Sequence, residues 1–145
     1  MIILDTNIIS GLTRRVPEPG VLSWLDSLPA EEVGTTAVTA AELLCAVARM
    51  PAGRRKTELA AAVRGLLGDD FRDRVLPFDE HCAWRYADIV GGRETLGRPI
   101  GAADAQIAAI CRTAEATLAT RNADDFSGTG IKLINPWKLD RPGPA

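Results

Sequence analysis

Very short β-branched runs alternate along this chain with longer segments of helical period, and few folds accept that pattern. Ile2-Ile3-Leu4 reads as a buried strand stopped at once by the polar loop Asp5-Thr6-Asn7. Further strands are expected over 33–36, 74–77, 117–120 and 132–134. Between them, helices are expected over 19–28, 39–50, 54–67, 79–96 and 102–114, with Leu43, Leu44 and Val47 on one face of the second. Asp79 reads as a helix cap, and the helices over 39–50 and 54–67 as a hairpin closed by Pro51-Ala52-Gly53. Strands alternating with helices imply an α/β fold: a parallel sheet covered on both faces, with ligands bound beyond the C-terminal ends of its strands. At 145 residues the chain has material for one domain of ordinary size. That domain is expected over residues 1–137, with 138–145 as a frayed tail ending Arg141-Pro142-Gly143-Pro144-Ala145.

Three carboxylates break the apolar pattern around them. Asp5 ends a buried strand, where an unpaired charge costs several kcal/mol unless it is wet, partnered or metal-bound. A plain loop aspartate bonded to Asn7 or a following N–H is the competing reading. Glu42 sits at the edge of its helix's apolar stripe, and Thr39-Ala40-Ala41-Glu42 also has the form of a capping box, which by itself accounts for the glutamate. Asp104 is the most informative, because Ile107, Ala108 and Cys111 at i+3, i+4 and i+7 put it on the inward face of its helix, a position that favourable interaction with the helix dipole does not require. If the three converge, each pair at about 5 Å repels by roughly 3 kcal/mol at an effective dielectric of about 20. Protonation or a divalent cation relieves that repulsion, and an all-oxygen donor set favours Mg2+ or Mn2+ over zinc. Such an ion prepares water for attack on a phosphodiester.

The ordered segments Ile2-Ile3-Leu4-Asp5-Thr6-Asn7, Thr39-Ala40-Ala41-Glu42-Leu43, Ala102-Ala103-Asp104-Ala105-Gln106-Ile107-Ala108 and Leu118-Ala119-Thr120-Arg121-Asn122 resemble the signatures of PIN-domain proteins. Within that superfamily the chain is most similar to VapC-type toxins, including the FitB-like branch. The resemblance implies a three-layer parallel α/β fold and Mg2+- or Mn2+-dependent endoribonuclease activity. It also implies homodimerisation and a cognate antitoxin as partner. It puts Asp5, Glu42 and Asp104 in the acidic site, with Asp5 and Asp104 as direct metal ligands, Glu42 acting through water, and Thr6 and Asn7 organising the surroundings. Many PIN domains carry a fourth acid after the Thr-Arg pair. Here that position is Asn122, which brings a carbonyl but no charge, and Asp124 or Asp125 is the candidate substitute. A metal-dependent phosphohydrolase and a catalytically silent RNA- or antitoxin-binding protein are the rival readings.

The net charge of -2 excludes a protein that holds nucleic acid by bulk positive charge, leaving local patches. Arg14, Arg15, Arg49, Arg54, Arg55 and Lys56 are candidates to flank an RNA groove, with Arg121 near the acids; each alone reads first as a solvated helix end. The aromatic residues, Trp84 and Trp137 among them, are expected in core roles rather than stacking on bases. The three cysteines, Cys45, Cys82 and Cys111, have no zinc spacing and are expected as buried free thiols in a reducing compartment. Gly91-Gly92 within a helical pattern suggests a kink or close packing. No apolar run approaches the roughly 18 residues of a membrane span, and no signal segment is visible, so a cytoplasmic protein is expected.

Overall fold

The computed structural model describes residues 1–14 and 16–139. Arg15 and most of the expected tail, 140–145, lie outside the described residues. Five strands, β1 (Ile2–Leu4), β2 (Val33–Thr36), β3 (Val75–Leu76), β4 (Thr117–Ala119) and β5 (Lys132–Ile134), form one sheet of order β3-β2-β1-β4-β5 in which every neighbouring pair is parallel. Among the described residues six helices flank it: α1 (Thr6–Leu12), α2 (Pro19–Asp26), α3 (Ala37–Ala48), α4 (Arg54–Gly65), α5 (Glu80–Thr95) and α6 (Ala102–Thr113).

Side chains on a strand alternate between faces, so each strand feeds two cores. Ile3 and Leu118, paired in register, enter a core completed by α5 and α6 through Ile89, Ile107, Ile110 and Cys111. Leu4 and Ala119, the next pair, enter the opposite core with Ile8, Ile9, Val21, Leu43, Val47 and Val63 from α1–α4. Two apolar layers on one sheet make the three-layer arrangement. Gly34 in β2 is required by close approach: a Cβ there would stand 2.6 Å from the carbonyl oxygen of Arg74.

Several local expectations are corrected. No polar loop follows β1; Asp5 is itself the N-cap of α1, and the chain enters the helix at once. The helix expected over 39–50 begins at Ala37 because Thr36, not Thr39, caps it, its hydroxyl accepting from the Thr39 N–H at 3.0 Å. The capping box of Thr39 and Glu42 is therefore absent. Leu44 does not share the buried face of Leu43 and Val47, and α4 stops at Gly65, followed by a π turn over Leu66–Asp70. Cys82 and Cys111 are buried free thiols, but Cys45 is exposed. Trp84 is 79% exposed rather than core. Nothing lies within 4 Å of a Cβ built at Gly91 or Gly92, so close packing does not explain them. No helix among the described residues is long and apolar enough to cross a membrane.

Candidate active site

The strand order reverses direction between β1 and β4, since the chain leaves β1 for β2 on one side and reaches β4 and β5 on the other. In open parallel sheets the crevice beyond the strand ends at such a switch point is where ligands bind. Here the two strands deliver Asp5 and Thr120, the residues directly after Leu4 and Ala119, side by side, with the Asp5 N–H donating to the Ala119 carbonyl at 2.9 Å.

Asp5 is 5% exposed and its carboxylate is fully engaged on one side. Oδ1 accepts from the Thr6 N–H at 2.8 Å. Oδ2 accepts from the Thr120 hydroxyl at 2.7 Å and from the Asn7 amide at 3.1 Å. The loop-aspartate reading of Asp5 thus holds for its hydrogen bonds, without excluding a ligand on the remaining lone pairs. The Thr120 hydroxyl in turn accepts from the Asn122 N–H at 3.1 Å. Asn7 uses its carbonyl oxygen to accept from the Arg121 N–H at 3.1 Å, so two residues of the opening motif hold the segment that follows β4.

Glu42 projects from α3 toward α1. The Thr6 hydroxyl lies 3.2 Å from both Glu42 Oε1 and Thr39 Oγ1, with one proton to share between them. Asp104 stands in the first turn of α6, half-buried. Burial pushes the Asp104 carboxyl above its ordinary value, and the charges of Asp5, Asp125 and Glu42 add to the rise, while Arg93 works against it. Glu42 is exposed as a residue, yet its carboxyl is also raised, first by partial desolvation, against which the Thr6 hydroxyl acts, and then by the charge of Asp5. The charge of Asp5 reaches both other acids, and all three line one space.

That space is a cavity of about 550 Å³ lined by Asp5, Glu42, Asp104 and Asn122 together with Thr6, Asn7, Arg14, Arg121 and Trp137. All four candidate site residues meet there. Neither Asp124 nor Asp125 lines it; Asp125 acts on Asp104 only through its charge. Among the described residues no three His, Cys, Asp or Glu side chains gather closely enough to cage an ion by themselves. The donor set is nonetheless all oxygen and open to solvent. It suits a hard cation held by one or two carboxylates, with water and substrate completing its shell.

Two features escaped the sequence. Arg121 lies over the Trp137 ring, its Cζ 5.0 Å from the centroid, so Trp137 lines the cavity as well as packing on the core of α1–α4. The Asn135 amide donates to the Arg121 carbonyl at 3.2 Å and the Asn135 side-chain oxygen accepts from the Trp137 N–H at 3.0 Å, tying the stacked pair together. Arg93, 5% exposed, donates to the carbonyls of Arg98, Asp125 and Ser127 at 2.7, 2.8 and 3.0 Å and so pins the loop after Asn122. Neither has a local sequence signal, because the partners are 16 and roughly 30 residues away along the chain.

Fold and cavity together define a class: parallel α/β domains that gather carboxylates at the switch point of the sheet. Residues 2–132 match the family model described as PIN domain, and the chain belongs to that family. It is 40% identical to VapC ribonuclease Y4jK of Sinorhizobium fredii, the match covering 95% of this chain and 99% of that protein. It is 41% identical to Toxin FitB of Neisseria gonorrhoeae over 94% of this chain and 99% of the toxin. The solved structure of FitAB bound to an IR36 DNA fragment superposes with a TM-score of 0.91 at 39% identity, covering 98% of this chain and 99% of that one.

Proposed function

We propose that this PIN domain, residues 1–137, is an endoribonuclease toxin of a type II toxin–antitoxin pair, acting with Mg2+ or, in its place, Mn2+. The observation that carries the reading is the convergence of Asp5, Glu42 and Asp104 on one cavity at the switch point. Near-full-length similarity to a VapC ribonuclease and to Toxin FitB supports the toxin assignment, and with it a cognate antitoxin, a homodimer and a cytoplasmic setting.

In this reading Asp5 and Asp104 hold the cation directly, Glu42 acts through water, and Asn122 supplies a neutral oxygen where many relatives are expected to have an acid. The bound cation supplies charge stabilisation at the phosphoryl oxygens and a site at which water is oriented. The protein's own groups do the rest. Thr6, Asn7 and Thr120 fix the rotamer of Asp5, so one carboxylate is in place before substrate arrives. Glu42, raised in pKa and open to solvent, accepts a proton from the attacking water as the water oxygen bonds to phosphorus and the bond to the leaving ribose oxygen breaks, that oxygen taking its proton from solvent. Arg14 and Arg121 are the cationic side chains of the cavity, placed to balance phosphate charge against the acids.

The test is cleavage of single-stranded RNA by purified protein with Mg2+, Mn2+ or EDTA, against Asp5→Asn and Asp104→Asn. Both variants are expected to lose at least about a hundredfold in rate, as loss of one preorganised charged group commonly costs, and EDTA to silence the wild type. RNA degradation by both variants at the wild-type rate defeats the assignment.

A further inference from the structure

A second cavity, about 970 Å³, opens beside the first. The two share Ser10 and Arg14 in their linings and so adjoin along α1. Their chemistry is opposite. The first is lined by four carboxylates, Asp5, Glu18, Glu42 and Asp104, against Arg14 and Arg121; the second is lined by Arg14, Arg54 and Arg55 against the single acid Glu58. Of the basic residues that the sequence offered for a groove, the structure brings these three together. Arg49 and Lys56 are not in the lining, and Lys56 instead donates to the Ala48 carbonyl at 3.4 Å. Arg54 is held extended by Glu58 at 2.9 Å, with its side chain 92% exposed, whereas Arg14 and Arg55 have no carboxylate partner among the described residues.

We infer that the second cavity is a subsite for the phosphate backbone of single-stranded RNA, holding nucleotides away from the cleaved bond; the inference rests on the ribonuclease reading of the first cavity. Guanidinium groups suit phosphate because their planar donor forks match its oxygens, and three of them line this one cavity. The first cavity is lined along α1 from Asp5 to Gly11 and by Arg14, and the second by Ser10, Thr13 and Arg14 together with residues of α4, so Arg54 and Arg55 join the depression at the C-terminal end of α1, away from Asp5. Contacts of this kind fix register on the strand and add affinity without reading bases.

Binding in EDTA, where no turnover occurs, separates this inference from the nuclease reading. The full chain is titrated against a fluorescent RNA of about ten nucleotides at several salt concentrations, since each phosphate contact on a single strand adds about 0.7 to the slope of log K against log salt. Arg54→Gln/Arg55→Gln is expected to weaken binding about tenfold and to flatten the slope by about 1.4, the loss of two contacts. Glu58→Gln, which removes the acid of the cavity, is expected to tighten it. Thermal melts of both variants check that the fold is kept. An unchanged affinity and slope in the double variant overturns the inference, as does tighter binding of an acidic peptide than of RNA with the same arginine dependence, which would assign the cavity to a protein segment. RNA binding with the expected slope but no cleavage in Mg2+ supports the subsite and counts against the nuclease reading alone.

Discussion

Thr120→Val removes one hydroxyl from a position with no solvent exposure and keeps the side chain's shape. That hydroxyl donates to the Asp5 carboxylate at 2.7 Å and accepts from the Asn122 N–H at 3.1 Å and the Asn7 amide at 3.3 Å. The first bond is to an ionised group and is worth about 1.5–3 kcal/mol; the other two are neutral, and their donors are replaceable by water or by Asp5, adding about 1 kcal/mol at most. Valine places a methyl where a buried charge needs a donor, so the loss does not fall to the net value of an ordinary hydrogen bond. The sum, about 2–4 kcal/mol, lowers the melting temperature by roughly 10 °C for a domain of this size. Thr120→Ser keeps the hydroxyl and should recover most of the loss. Because Asp5 also loses its positioning partner, metal affinity should fall about 10- to 100-fold. Differential scanning calorimetry of the three proteins, with Mn2+ titration calorimetry alongside, reads both effects. A Thr120→Val protein as stable as Thr120→Ser would refute the reasoning.

Arg93→Met leaves the carbonyls of Arg98, Asp125 and Ser127 without their shared donor, and an expected cost of about 3 kcal/mol should appear in urea unfolding, together with protease sensitivity around residues 123–127. The raised pKa values of Asp104 and Glu42 set a pH dependence of definite sign. Between the unfolded carboxyl range, about pH 4, and the higher folded values the folded chain binds more protons than the unfolded one, so metal-free stability should fall as pH rises through that window. Asp104→Asn should flatten this slope in denaturant titrations taken across it; an equally steep slope in the variant would show that the repulsion lies elsewhere.

The strands and the inward acids were legible because each is a local pattern. Ile2-Ile3-Leu4 is too apolar and too β-branched for anything but a buried strand, and Asp104 carries its neighbours' helical period with it. The start of α3 is ambiguous in sequence because Thr36 and Thr39 are both competent caps. Only the extended backbone at Thr36, fixed by its place at the end of β2, decides between them. Glu42 was therefore assigned a local partner, Thr39, when its partner is Thr6 across the helix interface. Thr120, Arg93 and the Arg121–Trp137 stack depend on contacts between distant segments, and no spacing rule announces them. The spacing of the aromatic residues favours a core role for Trp84, but its position on α5 faces away from both cores.

The division of labour among the acids follows from where each is mounted. Asp5 is placed by the sheet itself, and three donors from two segments hold it, so its position tolerates little adjustment. Asp104 and Glu42 come from helices on different sides of the crevice; desolvation, not hydrogen bonding, dominates their behaviour. A site with one fixed carboxylate and two whose charges are held at a cost does not close around an ion by itself. In the proposed reading it gains most when a cation and a phosphate arrive together, because the cation would relieve the acids and the phosphate would complete the cation's shell. The cavity, with Arg14 where it adjoins the second, leaves that last position to a phosphate of the strand in the proposed reading.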